Sequence, residues 1–84
     1  MIGYHCATPK KLARYQATGA ILPPVRFWRT EATARAWMQR TGRPMLLEIE
    51  VPHAYPMPDH RPRMMAWWTD AVVRQYRVME VADD

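Results

Sequence analysis

The chain has 84 residues, 49% of them apolar and 24% charged, with twelve basic side chains against eight acidic ones and a net charge of +4. This is enough for a single domain over residues 1–84 with one modest core. With Cys6 as the only cysteine it excludes a disulfide scaffold. No apolar run reaches the roughly 20 residues a membrane span requires, so no membrane partner is expected. Met1-Ile2-Gly3-Tyr4-His5 lacks the basic-then-apolar order of a leader, and a lone thiol fits a reducing compartment. The expected location is the cytoplasm.

Ile2 to Cys6 is short, apolar and aromatic, and reads as a strand. Thr8-Pro9 then starts a helix, because threonine caps and proline at the first helical position gives up no useful donor. The helix carries Lys10, Leu12 and Tyr15 and stops at Gly19. Ala20-Ile21-Leu22-Pro23-Pro24 is an extended connection that paired prolines keep out of helix.

Val25-Arg26-Phe27-Trp28 is a second short strand. Thr30 caps a second helix with Glu31 in its first turn, and Gly42 ends it. Ala34, Trp37, Met38 and Thr41 fall on one face, which places Trp37 in the core. Met45 to Val51 alternates Leu47, Ile49 and Val51 against Leu46, Glu48 and Glu50, the pattern of a half-buried strand with one charged face.

Residues 51–63 hold prolines at 52, 56, 58 and 62 and read as a loop without regular structure. Met64 to Thr69 reads as a strand, Asp70 to Gln75 as a turn or short helical piece, and Tyr76 to Val81 as a last strand. The order β-α-β-α-β-loop-β-β predicts an α+β fold, a small mixed or antiparallel sheet with two helices.

Individual residues offer little catalytic chemistry. His5 and Cys6 are neighbours on a strand and point to opposite faces, so the imidazole cannot activate the thiol beside it. Cys6 reads as a small buried hydrophobe. His53, Asp59 and His60 match no compact zinc spacing, and no metal site is expected. Glu48 and Glu50 share a strand face and read as a solvated surface salted by arginines. Apart from Lys10 and Lys11 every basic residue is arginine, spread from Arg14 to Arg77 without a dense run.

Taken together, the first two strand–helix units resemble the ADP-ribosyltransferase fold, in its diphtheria-toxin and poly-ADP-ribose polymerase branch. The resemblance runs over residues 3–52. It rests on Tyr4-His5-Cys6-Ala7-Thr8 before a helix ending at Gly19-Ala20-Ile21. After these come Phe27-Trp28-Arg29-Thr30 and a second helix with Ala34 and Trp37.

It implies a minimal domain that binds NAD, ADP-ribose or a related nucleotide. His5 would hold the adenosine ribose, Trp28 would supply the aromatic plane for the nicotinamide within the Phe27–Thr30 segment, and Arg26 or Arg29 would meet the pyrophosphate. The chain departs from the family at Ala7, where a threonine is usual. It departs again near Met64, where the catalytic glutamate would fall. Asp59, Asp70 and Glu80 are the acids left to replace it. ADP-ribosyl transfer is left an open question, because without that glutamate it would lose its principal electrostatic device. The resemblance requires His5 and Trp28 to meet at one hollow.

Two other classes fit the same sequence. One is a basic interaction module that binds nucleic acid or a protein partner through arginines and exposed aromatics. The other is a homodimer that buries Trp67 or Trp68 along an open sheet edge.

Overall fold

The computed structural model describes residues 1–57 and 66–81. Eight elements follow in order: β1 (Ile2–Ala7), α1 (Pro9–Thr18), β2 (Val25–Phe27), α2 (Glu31–Thr41), β3 (Met45–Glu50), β4 (Tyr55–Pro56), β5 (Trp67–Thr69) and β6 (Gln75–Val81). They form an α+β fold with two antiparallel three-stranded sheets, ordered β1-β3-β6 and β2-β5-β4.

Both helices begin and end where local chemistry dictates. The Thr8 hydroxyl accepts from the Lys11 amide at 3.3 Å, and Pro9 opens the first turn of α1. The Thr30 hydroxyl accepts from the Thr33 amide at 3.2 Å at the head of α2. A cap of this kind contributes about 1 kcal/mol. Gly19 and Gly42 close the two helices at φ 73° and 74°, a left-handed backbone that a side chain would strain.

β3 runs down the centre of the first sheet, with β1 on one side and β6 on the other. The alternation of β1 and β2 divides the interior into two clusters. Ala7, Val25, Phe27, Leu47 and Ile49 pack with Leu12 and Tyr15 of α1. Cys6, Trp28 and Leu46 pack instead with Ala34 and Met38 of α2. Full burial of side chains such as Phe27, Leu47 or Ile49 stabilises by about 1.5–3 kcal/mol each. Leu46 is thus buried on the strand face that carries Glu48 and Glu50, so only the later half of β3 has a charged face.

The sheets meet at β1 and β2. Tyr4 and Trp28 form one antiparallel bridge there, with the Tyr4 amide donating to the Trp28 carbonyl at 2.8 Å and the return bond at 2.9 Å. Gly3 is required beside it, because a Cβ at that position would lie 2.1 Å from the Phe27 ring.

Three expectations change. The proline-rich segment contains a strand after all, since Tyr55–Pro56 pairs with Trp68 and Trp67. It lies at the sheet edge, where a proline costs no ladder donor. Asp70 to Gln75 forms no helical piece; Val73 makes an isolated bridge to Ile21 instead, which ties down the connection after α1. Trp37 is half-buried, packed against the α2-side cluster and not inside it. Met64 and Met65, expected in the fifth strand, lie outside the described residues, as do Asp59 and His60. Among the described residues no helix is long and apolar enough to cross a membrane.

Candidate functional site

α1 carries Lys11, Arg14, Tyr15 and Thr18 at the i, i+3, i+4, i+7 spacing of a single helical stripe. All four line a cavity of about 390 Å³. His5 of β1, Arg26 of β2 and the adjoining Trp28 line it as well. Trp37 of α2, Arg43 just beyond the Gly42 cap, and Leu22 and Pro24 are further lining residues. A volume of this size is within the range that small-molecule ligands occupy.

His5 is a buried polar group with both ring nitrogens engaged. It is 7% exposed, with Nδ1 2.6 Å from the backbone carbonyl of Arg26 and Nε2 3.1 Å from the Tyr15 hydroxyl. A carbonyl only accepts, so Nδ1 bears the proton and donates to it. Nε2 is then left to accept, and the Tyr15 hydroxyl donates to it. Burial pushes the imidazole pKa down to about 4. The carbonyl bond opposes that shift, while the charges of Lys11, Arg43 and Arg26 reinforce it. At neutral pH the ring is uncharged in a distinctly positive field.

The positive field has a clear source. Lys11 and Arg14 of α1, Arg26 of β2 and Arg43 after α2 come from three places in the chain and all border the one cavity. No carboxylate lines the cavity among the described residues. Arg43 is held by a bond from its Nη1 to the Cys6 carbonyl at 3.3 Å. The Arg26 guanidinium stands 6.0 Å from the centre of the Trp37 ring, a cation–π contact. Three arginines well apart in the sequence thus meet Lys11 at one cavity.

His5 and Trp28 are both lining residues of this cavity, and both are buried side chains. Trp28 is 1% exposed and lies 5.2 Å from Trp37, centre to centre, so it forms a wall and Trp37 is the more open ring. Arg26 also lines the cavity. Phe27, Arg29 and Thr30 are not among its lining residues. Phe27 is fully buried in the α1-side cluster over Gly3. The Arg29 guanidinium lies over Trp67 at 5.2 Å. Thr30 is committed to capping α2.

Cys6 also lines the cavity, and it and the remaining candidates are engaged in bonds of their own. The Cys6 thiol faces α2 and donates to the Ala34 carbonyl at 3.3 Å, while burial raises its pKa to about 11. It is opposed to His5 on the strand and poorly nucleophilic. His53 pairs with Asp70 at 2.5 Å. Glu80 pairs with Arg35 at 2.9 Å, and Glu48 with Arg77 at 3.1 Å.

Lys11, Arg14, Tyr15, Trp37 and Arg43 were not singled out for the site by sequence reasoning. The α1 stripe was the available signal for the first three. Nothing local marks Arg43. No family model, curated protein or solved structure matches the chain.

Proposed function

We propose that this cavity binds a nucleotide, with NAD and ADP-ribose as the leading ligands. The observation that carries the reading is the convergence of four cations, a neutral imidazole paired with a phenol, and two indoles on one acid-free cavity. Cations match the phosphates, the Trp37 face suits a base or nicotinamide ring, and hydrogen-bonding groups meet a sugar. The resemblance to ADP-ribosyltransferases gains support from the Tyr4–Trp28 bridge, which sets the two motif strands side by side.

Binding, and not transfer, is the proposed activity. Asp70 and Glu80 are tied up in ion pairs away from the cavity, and Asp59 and the Met64 position lie outside the described residues. Without a carboxylate beside the reacting ribose, the developing oxocarbenium ion lacks its stabilising charge.

Titration with ADP-ribose, NAD and ADP under tryptophan fluorescence tests this. Saturable quenching with a Kd at or below about 1 mM, lost in His5→Ala, is the expected result. No saturable change at millimolar ligand removes the reading. If single-stranded nucleic acid binds instead, with affinity falling steeply between two salt concentrations, the basic interaction module replaces it.

A further inference from the structure

Both ring nitrogens of His5 are already committed, one to the Arg26 carbonyl and the other to Tyr15. The imidazole therefore has no free valence for a ligand. The Tyr15 hydroxyl spends its proton on Nε2 and keeps an acceptor lone pair, and Tyr15 lines the cavity. We infer that Tyr15, locked in place by His5, accepts a hydrogen bond from a ligand hydroxyl and makes the cavity selective for ribose over deoxyribose.

This rests on the nucleotide reading and deepens it. A phenol whose proton is held by a fixed acceptor can only accept from any further partner. A hydroxyl, which donates, satisfies that arrangement; a ligand carbon in its place leaves the remaining lone pair of a buried oxygen without a donor. His5 is then a positioning residue and Tyr15 the contact. Lys11 and Arg14, on the same helical stripe, line the same cavity and supply charge for the adjoining phosphates.

The test compares ADP with 2′-deoxy-ADP and 3′-deoxy-ADP on the wild type and on Tyr15→Phe, which keeps the ring that packs edge-on against Tyr76. The wild type should bind one deoxy analogue about tenfold more weakly than ADP. Tyr15→Phe should bind all three alike. Equal discrimination by the variant, or none by the wild type, overturns this inference and leaves the nucleotide reading standing. No binding of ADP to the wild type overturns both.

A second measurement needs neither variant nor ligand. The imidazole ¹⁵N spectrum of the wild type at pH 7 should show Nδ1 protonated and Nε2 unprotonated. A protonated Nε2 would mean that Tyr15 accepts from His5, and the inference falls.

Discussion

The Nδ1 of His5 donates across 2.6 Å to the main-chain carbonyl of Arg26, twenty-one residues further along the chain. One side chain thereby joins β1 to β2 and fixes the tautomer that faces Tyr15. Protonating the ring would keep that bond and break the other, since Nε2 could then no longer accept from Tyr15.

A pH dependence follows. His5 has a folded-state pKa of about 4, below its ordinary value of 6.5. Between those values the unfolded chain binds the proton and the folded one does not, so stability rises with pH there. The contribution is complete above pH 6.5 and lost as pH falls toward 4. It amounts to about 3 kcal/mol. Urea unfolding of His5→Gln at pH 4.5 and 7 should show a much smaller difference than the wild type, and equal differences would refute the assignment.

Gly3→Ala should destabilise by about 1–3 kcal/mol or more. The added methyl would meet the ring of a fully buried Phe27, which has no room to swing. Gly3→Ala combined with Phe27→Leu should recover part of the loss, read as a melting temperature above that of the single variant. Additive losses would place the strain elsewhere.

Helix boundaries were legible because capping is local. Thr8-Pro9 with Gly19, and Thr30 with Gly42, each complete their bonds within one turn of helix. β4 was hidden because prolines count against strand, yet Pro56 sits on an edge where its missing donor faces no partner. Trp37 has the helical spacing of a core residue, but the cavity opens beside it. The convergence of Arg26 and Arg43 could not be read from spacing. It depends on β2 and the end of α2 arriving beside α1, which only the packed chain determines.

Arg26 and Arg29 were equivalent in sequence and are separated by the fold. Arg26→Ala should weaken ADP-ribose binding about five- to tenfold, the scale of one charge-assisted contact. Arg29→Ala, which loses only its stacking on Trp67, should leave affinity within about twofold. Calorimetry on the two variants decides, and the reverse order would shift the site toward β5.

Cys6 should resist alkylation. Its thiol is buried and bonded to the Ala34 carbonyl, and its raised pKa leaves little thiolate at pH 7.5. A disulfide reagent should label the native protein at least about a hundredfold more slowly than the urea-unfolded chain, in keeping with reaction through rare opening. Comparable rates would mean that the α2 face of β1 is open.

Trp37 should report ligand. It is the half-buried indole on the cavity wall, whereas Trp28 behind it is sealed. Trp37→Phe should abolish most of the fluorescence response to ADP-ribose while calorimetry still detects binding. A response unchanged in that variant would move the reporter, and the base-stacking face, elsewhere.

The seam between β1 and β2 has a mechanical consequence. A single backbone rung at Tyr4–Trp28 and the His5–Arg26 bond fasten one leaf of the molecule to the other there. The hollow opens beside that narrow fastening and draws its walls from both leaves. A guest lodged in it clamps them together, so tightness of binding and stiffness of the joint are one quantity measured twice. Amide exchange at Tyr4 and Trp28 would slow in proportion to occupancy.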